Sequence, residues 1–351
     1  MAHSVVGVDI GSTSVRAVEV RARARAKAKP TLVRFLEIPL PEGAVSRGEV
    51  LEPHTVGAVI KQIWSTGGFK SKDVVLGMGN QRVLARDLTV PRASLAHIRE
   101  ALPFQVQDML PVPVADALLD FYPISESVGE NGLMINGLLI AAIKEAVLGN
   151  VKAVQQAGLN CREVDLIPFA LSRVLISRPE LKGTIVLIDV GANAASVVVA
   201  ANGVPQFVRI IPAGGDDLTQ ALKLRLEVEI TEAEALKKSL GLATETETLE
   251  ARKVVEIIYE VTGELLASLR NTITYFMTIR PQDPISKILL TGGGAQLIGL
   301  KEALSEVTGL PVVEADPFAT IDLARGINVD ELHRSRTSMT VALGLALRGM
   351  A

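Results

Sequence analysis

The sequence predicts an α/β protein of two lobes, each opening on a buried strand that ends in a glycine turn. Three observations predict it. Ser4 to Val20, SVVGVDIGSTSVRAVEV, reads as an apolar strand, an Asp, a tight turn and a returning strand. Ile185 to Ala200, IVLIDVGANAASVVVA, repeats the pattern without a gap, so Asp189 falls on Asp9 and Gly191 on Gly11. Lys287 to Leu304, KILLTGGGAQLIGLKEAL, reads as a buried strand, three glycines and a helix start. A length of 351 residues also exceeds what one core usually supports.

The turns carry the chemistry. Asp9 stands one residue before the first bend, at the end of an apolar run, where a carboxylate cannot be left buried and unpaired. Gly11 permits close approach of a ligand. Ser12, Thr13 and Ser14 add hydroxyls and successive N–H groups suited to phosphate oxygens. A magnesium ion held partly through water would satisfy Asp9. An ordinary hairpin with a polar tip has the same local pattern; the repeat and the late glycine run favour a ligand site. Bare backbone at Gly292, Gly293 and Gly294 can lie flat against a nucleotide.

This pattern resembles the actin-like ATPase superfamily. The resemblance implies two ribonuclease-H-like lobes with ATP in the cleft. Ala213 to Leu222, AGGDDLTQAL, is similar to the turn at the base of the second lobe, which brings in Gly214 and Gly215. Ala233, Glu234 and Lys237 match an Ala-Glu-x-x-Lys helix whose Glu and Lys lie near ribose and base. On this basis Asp9 and Asp189 are assigned to Mg2+, through water. Gly11, Ser12, Thr13, Gly191, Ala192 and Asn193 go to the phosphates, with Arg16 able to neutralise their charge. Glu234 and Lys237 go to the nucleoside, and the three late glycines complete the bed.

Composition narrows the class. Hydrophobic residues make up 48% of the chain but aromatics only 3%, so the cores are expected to be aliphatic. A net charge of −3 gives no bulk case for nucleic-acid binding. Cys161 stands alone, which excludes an internal disulfide framework, and the four histidines lack metal-ligand spacing. No signal peptide is expected before the first strand, and Val190 to Val208, with Gly, Asn, Gln and Pro, is a poor membrane span. Arg21 to Lys29, RARARAKAK, places cations at every second position, either on a solvated hairpin tip or against an anionic lipid or acidic partner.

Pro53 to Gly67 reads as an amphipathic helix with Val56, Val59, Ile60 and Ile63 inward, and Val74 to Met78 as a core strand. From Val83 the pattern changes. VLARDLTVP is a strand with a proline stop, and Ser94 can cap a helix through Ile98 and Leu102. Pro103, Pro111 and Pro113 are expected to break the chain beyond Leu102. LLDFYPI and LMINGLLIAAI read as strands separated by a polar turn, Ser125 to Asn131, and Lys144 to Gln156 as a helix. Strand, helix, two strands and helix make an inserted α+β unit. Ala233 to Leu240 and Val254 to Phe276 read as helices, and Thr340 to Leu347 as an aliphatic helix returning to the first lobe. The expected division is first lobe 1–82, insertion 83–153, first lobe 154–182, second-lobe core 183–215, its outer part 216–284, core 285–325, and return 326–351.

The insertion resembles that of FtsA and of the PilM family of type IV pilus assembly proteins. The stretches TVPRASLAHIREALPF, VADALLDFYPI and AGLNCREVDLIPFAL, with the ending TVALGLALRGM, are similar to the PilM family. That resemblance implies an ATP-binding cytoplasmic component of the inner-membrane assembly platform. Its partner would be the N-terminal cytoplasmic peptide of PilN, bound in a groove at the insertion, with contacts around Leu102 to Leu110 and Asp120 to Tyr122. Other platform proteins and self-association are further implied, with membrane attachment through a partner. The second reading is an FtsA-like division protein, which would end in a linker and an amphipathic membrane helix; Arg348-Gly-Met-Ala offers neither. A small-molecule kinase is the third, disfavoured by the insertion. The second turn, Ala192-Asn193-Ala194-Ala195, lacks the hydroxyls of many relatives, and no base is identifiable, so at most slow hydrolysis is expected.

Overall fold

The computed structural model describes residues 4–22, 29–130, 132–177, 181–243, 245 and 248–349. Two central sheets share one topology. The first runs, edge to edge, Asn160–Leu166, Asp73–Met78, Ser4–Ile10, Ser14–Arg21, Thr31–Pro39 and Asp322–Leu323. The second runs Val312–Glu314, Ile285–Thr291, Thr184–Val190, Ala195–Ala201 and Val204–Ile211. In each, an antiparallel meander is followed by two parallel strands on the side of its first strand. The repeat seen in the sequence is therefore a repeat of fold, and each Asp-x-Gly turn ends the central strand of its sheet.

The strands Ser4–Ile10 and Thr184–Val190 are nearly continuous apolar runs because both faces are covered. One face of the first sheet takes the helix Pro53–Gly67 through Val56, Val59, Ile60 and Ile63, all buried. The other takes the final helix, Thr340–Arg348, whose buried face runs from Thr340 to Ala346. The approach is close. A Cβ on Gly7 would collide with the Ala342 carbonyl, and one on Gly344 with the Ala170 carbonyl of the helix Ile167–Leu175. The second sheet packs on the helix Leu249–Ile279 through Leu265, Leu269, Ile273 and Phe276.

The insertion is a three-stranded antiparallel sheet, ordered Val83–Pro91, Gly132–Ile143, Ala117–Gly129, with the helix Leu95–Gln105 on one face. Ser94 Oγ accepts from His97 N at 3.2 Å, the expected cap. Two expectations change here. Pro103 does not end its helix, which continues to Gln105; lying near the C-terminal end, it forfeits only one bond of the last turn. Ser125 to Gly129 is strand, not turn: Ser125 pairs with Asn136 and Ser127 with Met134, and Asn136 Nδ2 donates to Ser127 Oγ at 3.0 Å. Cross-strand hydroxyl and amide bonds replace the apolar pattern that marks most strands. The helix expected after the glycine run also starts late, at Leu300, behind a 3₁₀ turn over Gly294–Gln296. Of the basic run, Arg23, Arg25 and Lys27 lie outside the described residues, and Lys29 Nζ donates to Ala319 O at 3.4 Å. Among the described residues no helix is long and apolar enough to cross a membrane.

Candidate functional site

The two turns, the glycine run and the helix Ile230–Leu240 enclose a cleft of about 1210 Å³ between the sheets. Asp9, Gly11, Ser12, Thr13 and Arg16 line it from the first lobe. Asp189, Gly191, Ala192, Asn193, Gly215, Glu234, Lys237 and Gly292, Gly293 and Gly294 line it from the second. Both turns close alike: Gly11 N donates to Ser14 O at 3.0 Å and Gly191 N to Ala194 O at 2.9 Å. Ser12 and Thr13 side chains make no hydrogen bond among the described residues, so their hydroxyls stand free at the cleft wall.

The carboxylates are unequal. Asp9 is 6% exposed, and Arg16 Nη1 donates to its Oδ2 at 3.1 Å. Burial pushes the Asp9 carboxyl above its ordinary value, Arg16 opposes this, and the Glu37 charge adds to it. Arg16 Nε also donates to Glu37 Oε1 at 2.9 Å; burial works against the guanidinium charge, yet Asp9 and Glu37 hold its pKa above the usual value. Asp189, 8% exposed, has no hydrogen-bond or ion-pair partner among the described residues. Burial, with the charge of Asp9, pushes it up to about 7 against the pull of Arg16.

The glycines divide by role. Gly292 has φ +96°, and a Cβ there would collide with the Val190 carbonyl; Gly294 presses on the Val190 side chain. A Cβ on Gly293 would meet nothing, so Gly293 is the open surface of the run. Gly214 lies behind the second turn rather than on the cleft wall. Its N–H donates to Asp217 Oδ2 at 2.8 Å, and Gly215 N and Asp216 N donate to Gly191 O and Ala192 O at 2.9 and 2.8 Å. These helix N-terminal donors are thus spent on shaping the second turn. Asn193 Nδ2 is similarly held by Asp216 Oδ2 at 3.1 Å.

Beyond the glycines, Lys237 Nζ sits 2.6 Å from Glu234 Oε2. Burial raises the Glu234 pKa, but bonds from Lys237 and Thr219 outweigh it and bring it below the ordinary value. The lining also includes the apolar side chains of Leu218, Ile230, Leu265, Leu297 and Leu300. Sequence reasoning missed Glu37 and Thr219. Glu37 is a lone acid that faces Arg16 across the meander, a signal readable only once strand register is known. Thr219 lies within AGGDDLTQAL, with no local mark to single it out.

At the insertion, Leu102 and Phe121 are buried with Val90, Ile98, Val106 and Leu139, so they serve as packing. Phe104, by contrast, is 80% exposed. Asp120 Oδ1 accepts from Arg99 Nε at 2.6 Å, and the Tyr122 ring lies 4.5 Å from that of Phe169.

Comparison with known proteins agrees with this architecture. Cell division protein FtsA of Bacillus subtilis is 32% identical over 130 residues, 37% of this chain and 28% of the relative. That of Neisseria meningitidis is 24% identical over 60% of this chain and 56% of the relative, so the chain matches under two thirds of either one's length. The solved structure of a PilM-PilN type IV pilus biogenesis complex matches with a TM-score of 0.86 at 27% identity, over 99% of this chain and 98% of the other. An MreB of Spiroplasma citri bound to AMPPNP matches at 0.55 with 10% identity, over 98% and 95%, which shows the actin-like fold. The model of the type IV pilus assembly protein PilM matches residues 7–350, nearly the whole of the two-lobed chain with its insertion, and the chain belongs to that family.

Proposed function

We propose that this chain is an ATP-binding component of the type IV pilus inner-membrane assembly platform that holds the N-terminal cytoplasmic peptide of PilN. The observation that carries this reading is the likeness, over nearly the whole of both chains, to the PilM-PilN structure. Work in the cytoplasm, at the inner membrane through that partner, accords with the same likeness.

The cleft supports the nucleotide half of the reading. The free hydroxyls of Ser12 and Thr13 and the bare backbone of Gly11 and Gly191 suit phosphate oxygens. The apolar side chains of the lining suit a flat ring, and Glu234 lines the same cleft. The residues also fit Mg2+. Asp9 and Asp189 offer hard carboxylate oxygens, and the second is buried without a partner among the described residues. Among the described residues no three acidic, histidine or cysteine side chains cluster, so the ion would take its remaining ligands from water and phosphate. It would neutralise phosphate charge there. Hydrolysis is slow at best in this reading. Glu37 is bonded to Arg16 and Ser14, Asp216 to Asn193 and Glu234 to Thr219, and no histidine lines the cleft among the described residues. Nucleotide then acts as a ligand that favours one arrangement of the lobes.

A short peptide loses conformational entropy on binding, so micromolar affinity is expected. The test is titration of labelled PilN N-terminal peptide into the full chain, with and without Mg-ATP. Saturable binding supports the reading. Absence of binding under both conditions overturns it and favours the role of another member of the actin-like superfamily, of which an FtsA-like one is the second reading.

A further inference from the structure

The first lobe also reaches the cleft with a short hairpin. Val45–Ser46 pairs antiparallel with Glu49–Val50, and a two-residue turn, Arg47 and Gly48, joins them. Both turn residues have positive φ, +47° and +75°. A hairpin turn of this kind favours Asn-Gly, and an arginine in its first place works against the left-handed backbone.

The turn is nonetheless fixed in place. Asn80, 3% exposed, donates from Nδ2 to Gly48 O at 2.8 Å and accepts from Arg82 N at 2.9 Å. Arg82 Nε in turn donates to Glu49 Oε1. A Cβ on Gly48 would lie 2.9 Å from that of Asn80, so the hairpin rests directly on the Asn80 side chain. The Arg47 side chain takes no part in this. It is exposed, and among the described residues it has no hydrogen-bond or ion-pair partner.

Arg47 lines the cleft together with both glycine turns. It also lines a side cavity of about 140 Å³ with Gln81, Asn193, Pro212 and Asp217. Asn193 belongs to the second turn, and no residue assigned to the nucleoside borders the side cavity. An unpaired guanidinium thus stands beside a turn that suits phosphate oxygens. Arg16 differs, since Asp9 and Glu37 already engage its Nη1 and Nε. The planar fork of an arginine matches two oxygens of one phosphate, and such charge-assisted pairs are the strong ones. Because the hairpin backbone is already held, only the side chain must be ordered on contact.

We infer that Arg47 is the residue by which the cleft tells a nucleoside triphosphate from a diphosphate, its guanidinium donating to the terminal phosphate. This rests on reading the cleft as a nucleotide site. It also gives a reason for an arginine in a turn that favours asparagine.

The test measures dissociation constants for ATP and for ADP, each with Mg2+, and a melting curve for every chain. The chains are wild type, Arg47→Asn, Arg47→Lys, Asp217→Asn and Arg334→Gln. Wild type should prefer ATP to ADP by roughly tenfold. Arg47→Asn should bind ADP as wild type does, lose most of the preference, and melt no lower, since asparagine suits the turn. Arg47→Lys, which keeps the charge but not the fork, should retain part of the preference. A preference that survives in Arg47→Asn overturns the inference. So does an equal loss of ADP affinity, since Arg47 would then act on the whole nucleotide. Asp217→Asn tests whether Arg47 instead pairs with the acid across the side cavity; a loss of preference there equal to that of Arg47→Asn overturns the inference. Arg334 lines the cleft but not the side cavity. If Arg334→Gln loses as much preference, any cleft cation suffices and the inference falls. A wild-type chain that binds ATP and ADP alike overturns this inference alone; one that binds neither overturns the reading of the cleft and this inference with it.

Discussion

Arg16 faces Asp9 across the first hairpin and donates to it at 3.1 Å, whereas the residue facing Asp189 across the second is Ser196. The two hairpins are alike in backbone and opposite in electrostatics. Asp9 carries its own counter-charge; Asp189 awaits one. In the proposed reading an added cation would be drawn to the Asp189 side of the cleft, where the carboxyl is buried and has no partner among the described residues.

That asymmetry predicts a pH dependence. The folded-state pKa of Asp189 stands near 7, above the ordinary 3.8, so the folded chain keeps a proton that the unfolded chain has already lost. The stabilising contribution is present in full below the ordinary value and is lost as pH rises through about 7. The slope is at most about 1.4 kcal/mol per pH unit between those limits. Asp189→Asn should remove this slope and melt higher than wild type at pH 8, with the difference narrowing toward pH 5. Parallel melting curves across that range would exclude the assignment.

Mg-ATP should raise the melting temperature. At a hundredfold excess over its dissociation constant, a ligand that binds only the folded form contributes roughly 2.7 kcal/mol. Asp9→Ala should remove most of the shift. An unchanged shift in a folded Asp9→Ala chain would deny Asp9 any part in binding.

Steady-state ATP turnover should fall well below the ~1–100 s⁻¹ of kinases. The ground is that the cleft acids other than Asp189 are each bonded internally, and that Ala192, Ala194 and Ala195 bring no hydroxyl to the second turn. Robust turnover abolished by Asp189→Ala would mean that Asp189 serves as a base.

Gly7→Ala should destabilise by at least about 3 kcal/mol, at the upper end of overpacking costs, because the new methyl meets backbone and not a movable side chain. Gly344→Ala, on the facing helix, should do the same against Ala170. Urea midpoints measure both. Gly293→Ala, whose Cβ meets nothing, is the control, with stability near wild type.

Much of the fold was legible because its signals are local. A nearly continuous apolar run, an Asp-x-Gly turn and a second apolar run define Ser4 to Arg21, and the structure places strand, turn and strand there. The inward stripe of Pro53–Gly67 was readable for the same reason. The misses also have physical causes. Pro103 breaks a helix in isolation, but Leu102 and Val106 on either side are anchored in the insertion core, and packing outweighs one lost bond. The strand Ser125 to Gly129 is polar, and its pairing with Asn136 and Met134 depends on a partner strand that no local pattern reveals.

The sequence by itself determined the two Asp-x-Gly hairpins, the glycine run, the insertion and hence the family, since each depends on residues close together in the chain. The tertiary structure decided what the side chains between them do. Arg16 reaches Asp9 and Glu37, and Lys237 Nζ meets Glu234, Thr219 and the Gly215 carbonyl. Gly214 supports the second turn from behind. Which donor meets which acceptor is set by the register of strands and the packing of helices, and a linear spacing carries neither.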